Sequence, residues 1–283
     1  MDISVIIPVL NGATTIGEQL EALSAQRFGG EFEVIVVDNG STDATTTVVR
    51  AHAAQDPRTR LVDGSHLPRS GGAARNTGAE QASAPLLAFC DADDVVQPGW
   101  LTAIHGALEH ESVVTTALEY WSLNPHLLHL THPQFLGEHL VCGVPGIPGG
   151  AFGIRRDVYV TVGGFDPNFS AAEDSELGVR LAVNGYRIVH LPHALVSVRL
   201  RSTPVAAFRR GRLLRGSVTR IRERHGLPQP GPLLVTKRAL WCLRYLLVTA
   251  PCCISSRGRC TWMNRAGEAR ADLDEIVRRL RSR

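Results

Sequence analysis

Through its first ninety residues the chain alternates short apolar runs with stretches of helical length, the pattern of a sheet whose faces are covered by helices. Ile3-Ser4-Val5-Ile6-Ile7-Pro8-Val9 is nearly continuous in apolar residues, as strands buried on both faces are. Asn11-Gly12 then turns the chain, and Ile16, Leu20 and Leu23 recur at helical spacing. Glu33 to Val37 predicts a second buried strand ending at Asp38. Ser41-Thr42-Asp43 precedes a helix expected from Ala44 to about Ala53, with Asp43 as its cap. Ser70-Gly71-Gly72 opens a third helix running to Gln81, and Leu86 to Cys90 predicts a strand that stops at Asp91-Ala92-Asp93-Asp94. Three strand ends thus deliver polar residues, at Pro8 to Asn11, Asp38 to Asp43 and Asp91 to Asp94. In an open α/β sheet ligands bind beyond the carboxyl ends of the strands, so these groups are expected to share one site.

Beyond Pro98 a helix is expected from about Gly99 to Glu109, followed by Gly-, Pro- and His-rich segments through Pro148 that would wall a second binding pocket. Regularity returns at Gly150 to Ile154 and again from Asp174 to Asn184, where Leu177 and Leu181 share a helical face. The tail reads as helical. Ala207, Gly211, Leu214, Val218 and Ile221 predict one apolar stripe, and Leu273, Ile276, Val277 and Leu280 another. Charge separates the two parts: residues 1 to 198 carry 10 Lys+Arg against 22 Asp+Glu, whereas residues 199 to 283 carry 20 against 5. At 283 residues and 44% hydrophobic content, the chain can fill a substantial core, which excludes wholesale disorder. The expected division is an α/β domain over 1–200 and a basic helical extension over 201–283.

Six cysteines without a C-x-x-C pair signal neither a zinc ribbon nor a disulfide framework, and point to a reducing, cytoplasmic setting. Asp2 stands where a signal peptide would carry basic residues, so secretion is not expected. The stretch Ala239 to Ile254 is too short for a membrane span and contains Arg244 and Pro251; it reads as a packed or interfacial helix.

Four groups are candidates for chemistry. Asp91 and Asp93 would point to the same side if strand geometry persisted, and such a pair can hold a hard divalent cation through oxygen; the alternative is ordinary turn chemistry. Asp38, directly after a buried strand, can accept a hydrogen bond from a base N–H. Arg75, in the first turns of a helix, can reach a nucleobase carbonyl or a phosphate, against the alternative of a surface ion pair. Glu173 and Asp174 would raise one another's pKa in a cleft, where one could act as a general base for an alcohol. Otherwise Asp174 or Ser175 caps the helix.

In this order, Val5-Ile6-Ile7-Pro8-Val9-Leu10-Asn11, Val36-Val37-Asp38-Asn39-Gly40-Ser41-Thr42-Asp43, Ala74-Arg75-Asn76-Thr77-Gly78, Phe89-Cys90-Asp91-Ala92-Asp93-Asp94 and Gly163-Gly164-Phe165-Asp166 through Glu173-Asp174-Ser175-Glu176-Leu177 resemble the motifs of the family 2 glycosyltransferases. The resemblance covers about residues 1 to 200 and implies a GT-A (Rossmann-like) fold and an inverting transfer from a nucleoside-diphosphate sugar to an acceptor hydroxyl. It implies that Pro8, Asn11, Asp38 and Arg75 line the donor site, that Asp91 approaches the ribose, and that Asp93 with Asp91 binds Mg²⁺ or Mn²⁺. Asp174, beside Glu173, would be the base. Leu10 departs from the aromatic residue common there, and the segment Val198-Arg199-Leu200-Arg201-Ser202 lacks the histidine that completes the metal site in many relatives. Arg199 or Arg201 would then neutralise the diphosphate directly. A noncatalytic nucleotide-sugar binding or scaffold protein of the same fold is the alternative.

The acceptor is open to a saccharide, a lipid-linked molecule or a small molecule. The basic tail, with Phe208, Trp241, Tyr245 and Trp262, suits peripheral contact with the inner face of a membrane. Nucleic acid is not an expected partner, since the rest of the chain is acidic.

Overall fold

The computed structural model describes residues 1–124, 134–135, 140–169, 171–200, 204–249 and 256–281. It contains two compact units, Met1–Leu200 and Arg201–Arg283. The first opens with β1 (Ile3–Val9), α1 (Ile16–Ser24), β2 (Phe32–Asp38), α2 (Thr45–Ala53), β3 (Thr59–Asp63), α3 (Gly71–Gln81) and β4 (Leu86–Cys90). It continues through β5 (Val95–Val96), α4 (Trp100–Leu108), β6 (Val113–Glu119) and the two-residue strands β7 (Gln134–Phe135), β8 (Leu140–Val141) and β9 (Val144–Pro145). β10 (Ala151–Arg155), α5 (Arg156–Val162), α6 (Glu173–Val183) and β11 (Ile188–Ser197) complete it.

The main sheet has the order β3-β2-β1-β4-β10-β6-β11-β5, with β7 on β6. β3, β2, β1 and β4 are mutually parallel, and β11 is parallel to β6. β10 runs antiparallel to both β4 and β6. The chain therefore steps outward from β1 to β3 and returns across β1 to β4, which makes the carboxyl edge between β1 and β4 a topological switch point. Because β10 is antiparallel and pairs Ala151 with Cys90, its entry lies at that same edge. The expected α/β architecture, mostly parallel and flanked by helices with a helical extension, is the one observed.

Strand alternation sorts the core into two layers. Ile3, Val5, Ile7 and Val9 pack with Ile16, Leu20 and Leu23 of α1 and Trp100, Leu101 and Ile104 of α4. Ile6, Ile35, Val37, Leu87 and Phe89 face the other way, onto α3, α5 and α6, together with Phe152, Tyr159, Phe165 and Leu177. Phe89 and Phe152 stack at 4.5 Å between centroids, and Phe165 meets Phe89 edge-on at 6.0 Å. α3 lies unusually close to the sheet because Gly78 has no side chain; a Cβ there would overlap Ile6 Cγ2. Its start is fixed by Ser70, whose hydroxyl accepts from the Ala73 amide at 3.2 Å.

Three local expectations change. β3 is an additional strand: Thr59 to Asp63 lies at the sheet edge, where only one side is paired, so its sequence shows no sustained apolar run. The helix after Asp43 starts at Thr45, and Asp43 accepts from the Thr45 and Ala13 amides, so it holds both loops rather than one helix end. Strand geometry stops at Cys90, and Asp91 to Asp94 form a turn instead of an alternating extension.

The second unit contains α7 (Pro204–Arg224), α8 (Pro232–Val248) and α9 (Ser256–Arg281). Its α7–α9 seam is built on small residues and runs past Gly211, a member of the first predicted stripe. A Cβ on Gly211 would overlap the Asn264 carbonyl, and one on Gly267 the Phe208 carbonyl, so the two backbones nearly touch. Leu214, Leu273 and Val277 are exposed, whereas Ile221, Ala269, Ala271 and Asp272 are buried. The Leu280 side chain lies outside the described residues, as do Arg201 and most of the segment 125–139. Among the described residues no helix is long and apolar enough to cross a membrane, and Cys90, Cys142 and Cys242 are free thiols.

Gly78→Val should lower stability by about 2 kcal/mol, because the added groups meet Ile6 and Val37 in a packed layer. Gly106→Ala, in α4 with open space around it, should instead raise stability by about 0.5–1 kcal/mol. Urea midpoints of the two variants against the parent chain check both.

Candidate active site

The carboxyl edge gathers side chains from six segments. Asp38 ends β2, and both its carboxylate oxygens accept from the Ser41 amide, at 3.2 and 3.3 Å. Asn11, at φ 54°, accepts from the Thr42 amide at 2.8 Å, while its own amide donates to Ser41 Oγ. It thereby ties the loop after β1 to the loop after β2. Pro8 pairs with Val37 in the register of β1 and β2. Asn39 donates to the Pro68 and Ser70 carbonyls, at 3.2 and 3.1 Å, and so fastens the end of β2 to the start of α3.

α3 in turn presents Arg75, whose side chain is only 6% exposed. Its Nη2 donates to Asp91 Oδ1 at 2.5 Å and its Nη1 to Glu173 Oε1 at 3.4 Å. Its guanidinium carbon lies 5.4 Å from the centroid of the Phe165 ring. Burial disfavours the charge, but Asp91, Glu173 and Asp174 outweigh it and hold the guanidinium protonated. Arg75 is thus neither a surface ion pair nor a free arm: it is a buried bridge between two acids from distant segments. Arg75 Nε and Asn39 Oδ1 are buried with no hydrogen-bond partner among the described residues.

Ala172 stands at φ 60° immediately before α6, so the helix begins at Glu173 and neither Asp174 nor Ser175 is its cap. Asp174 lies in the first turn. Its Oδ2 accepts from the Gly149 amide at 3.0 Å and its Oδ1 from the Ser175 amide at 2.6 Å. Glu173 has its pKa raised, first by burial and further by Asp174 and Asp91, with Arg75 opposing. Glu176, fully buried, pairs instead with Arg180 at 2.7 Å and belongs to the core of α6.

Asp91, Asp93 and Asp94 bring one carboxylate oxygen each to within 4.8 Å of the others. An all-oxygen set of three acids fits a hard divalent cation, the class to which Mg²⁺ and Mn²⁺ belong. Asp91 has room there because Gly150 is bare; a Cβ on Gly150 would lie 2.6 Å from Asp91 Cγ. Arg199 closes the far side: its amide donates to Asp94 Oδ1 at 2.9 Å, its Nε to the Asp93 carbonyl at 3.2 Å, and its Nη2 to Glu18 at 2.6 Å.

The structure brings Arg75, Asp91, Glu173 and Asp174 into one network, sets Asp93 beside it, and places Pro8, Asn11 and Asp38 on the neighbouring strand ends. Asp94, Asn76 and the Gly149-Gly150 pair were not singled out from sequence. Asn76 accepts from the Phe165 amide and the Tyr159 hydroxyl, at 2.9 and 2.6 Å, and so anchors the loop before α6. The Asp93-Asp94 doublet was the available signal for the third acid.

An acidic cluster thus stands at the switch point of a mostly parallel sheet, the place where open α/β sheets bind their ligands. The profile described as Glycosyl transferase family 2 matches residues 4–163, and that of Glycosyl transferase family group 2 matches residues 87–256. The chain belongs to glycosyl transferase family 2. It is 33% identical over 219 residues to the validoxylamine A glucosyltransferase of Streptomyces hygroscopicus subsp. jinggangensis, covering 65% of this chain and 52% of that one. It is 30% identical over 254 residues to the pre-mycofactocin glycosyltransferase of Mycobacterium tuberculosis, covering 84% of this chain and 51% of that one. The chain thus spans about half the length of these curated relatives. The mannosyltransferase PcManGT of Pyrobaculum calidifontis, solved with GDP-Man and Mn²⁺, shares the fold at TM-score 0.67 and 21% identity, over 97% of this chain and 86% of that one. TarS of S. aureus with UDP-GlcNAc does so at TM-score 0.59 and 19% identity, over 95% and 90%.

Glu173 generates a pH prediction. A carboxyl whose folded pKa is raised above its ordinary value of 4.5 favours the fold while protonated, and that contribution is lost as pH rises through the folded pKa. Glu173→Gln should therefore gain stability relative to the parent as pH rises above 4.5, and the gain should vanish below it. Urea unfolding across that range checks the sign.

Proposed function

We propose that this chain transfers a glycosyl group from a nucleoside-diphosphate sugar to an acceptor hydroxyl, with inversion at the anomeric carbon, and with Asp174 as general base. The observation that carries the reading is the Arg75 bridge, which fixes the acid of the cation cluster, Asp91, and the first turn of α6 to one guanidinium. PcManGT, of the same fold, holds a nucleotide sugar and Mn²⁺.

In this reading Asp38, at the end of β2, accepts from a base N–H, and Pro8 and Asn11 shape the loop beside it. Asp93, with Asp91 and Asp94, would hold Mg²⁺ or Mn²⁺, and such an ion would supply Lewis-acid stabilisation of charge growing on the leaving diphosphate. The acceptor oxygen forms its bond to the anomeric carbon as the bond to the diphosphate oxygen breaks, and the electron pair leaves with the diphosphate. The hydroxyl proton passes to a carboxylate oxygen of Asp174. The Gly149 and Ser175 amides occupy one lone pair on each of its oxygens, so they fix the side chain and still leave acceptor capacity. Glu173 positions Arg75 from the other side. A single displacement needs no enzyme-bound sugar and no second nucleophilic carboxylate.

Asp174→Asn keeps size and shape but removes proton acceptance, so turnover should fall by about 10²–10⁴-fold while donor affinity stays within about threefold. Single-turnover kinetics with donor titration check this, and near-normal turnover removes Asp174 as base. Asp93→Ala should weaken Mn²⁺-dependent donor binding by about tenfold or more. Calorimetric titration of donor with and without Mn²⁺ checks it, and an unchanged metal response removes Asp93 from the ligands. Donor binding without turnover on any saccharide, lipid-linked or small-molecule acceptor would support a binding or scaffold protein instead.

A further inference from the structure

The second unit leaves a large apolar face uncovered. One side of α8 is buried: Val235, Ala239 and Cys242 pack inward, Arg238 donates to Asp272 of α9 at 2.7 Å, and Trp262 donates to the Leu246 carbonyl at 2.8 Å. The opposite side carries Leu233, Leu240 and Leu247 along one line and Leu234, Trp241 and Val248 along another. Members of each line are seven residues apart, two helical turns, and so stand one above the next. All six are exposed, from 52% at Leu234 to 78% at Leu247. Between the two lines run Lys237 and Arg244, also seven apart and exposed, and neither has an ion-pair partner among the described residues. α8 contains no Asp or Glu.

We propose that this face of α8 docks the chain on an anionic lipid surface. Two apolar lines flanking a line of cations let leucines and Trp241 enter the acyl boundary while the long stems of Lys237 and Arg244 carry their charges to headgroup phosphates. Trp241 stacks on Tyr245 at 5.7 Å, and Arg265 lies 5.4 Å from the Trp241 ring, so an aromatic pair of the interfacial type is backed by a further cation. Residues 199 to 283 hold 20 Lys+Arg against 5 Asp+Glu, which complements a negatively charged bilayer. The 17 residues of α8 reach about 25 Å with two cations at their midline, which suits lying in the interface and not crossing it. A second copy is the poorer occupant, because a two-fold contact would set the Lys237–Arg244 line against itself.

The test uses the full chain with vesicles of phosphatidylcholine alone or mixed with phosphatidylglycerol, read by co-sedimentation. Binding is expected to the mixed vesicles and to decline with added salt. Lys237→Gln with Arg244→Gln should weaken it by about fivefold per charge removed. Leu240→Ser with Leu247→Ser should weaken it by more than tenfold, with helicity checked by circular dichroism; if that pair unfolds, the charge pair alone decides. Arg212→Gln with Arg270→Gln, an equal charge loss on α7 and α9, should cost less than the α8 pair. Equal binding to both vesicle types, equal loss in the α7/α9 variant, or a dimer that binds no vesicles and dissociates in the leucine variant would each overturn the proposal.

Discussion

A single guanidinium organises the carboxyl edge of the sheet. Arg75 is buried where an uncompensated cation would be costly, and it is compensated first by Asp91 and further by Glu173 and Asp174, while Asp91 and Glu173 are in turn constrained by their contacts with it. The three charges come from α3, the turn after β4 and the first turn of α6. Their mutual dependence converts three separately folded segments into one rigid floor. The carboxylates beyond it are held by backbone amides, Asp94 by Arg199 and Asp174 by Gly149 and Ser175. This is how a site assembled largely from loops and helix starts can keep the geometry that chemistry requires.

Close backbone approach is the second constraint. Gly78 lets α3 sit on Ile6, which brings Arg75 down toward the sheet, and Gly150 leaves space for Asp91 at the entry of β10. Gly149 contributes an amide to Asp174 while leaving its own side free, where Arg75 Nη2 and the Asp174 side chain converge. The second unit uses the same device for another purpose, with Gly211 and Gly267 allowing α7 and α9 to meet backbone to backbone.

What the sequence made legible follows from how local each signal is. The buried strands β1, β2 and β4 read directly because both faces demand apolar residues, and the acids that follow them therefore fall at predictable ends. β3 lacked that signal because an edge position relaxes the demand. Asp91 and Asp93 were visible, but the reason for their proximity differs: a turn, not continued alternation, brings their oxygens together and adds Asp94. The environment of Arg75 was hidden, since Glu173 is remote in sequence and nothing local distinguishes a buried bridge from a surface pair. The tail was legible in part. Of the apolar stripes expected there, Gly211 and Ile221 are buried, whereas Leu214, Leu273 and Val277 stay outside because close glycine contacts form the α7–α9 seam.

The unequal sequence separations of the Arg75 contacts also imply an order of events during synthesis. Arg75 meets Asp91 across 16 positions, but its contact with Glu173 spans 98, so the first ion pair can close long before the second acid leaves the ribosome. A nascent chain ending before α6 would hold Arg75 with Asp91 but without Glu173 and Asp174. Completion of this charged edge is therefore among the last steps by which this unit becomes itself.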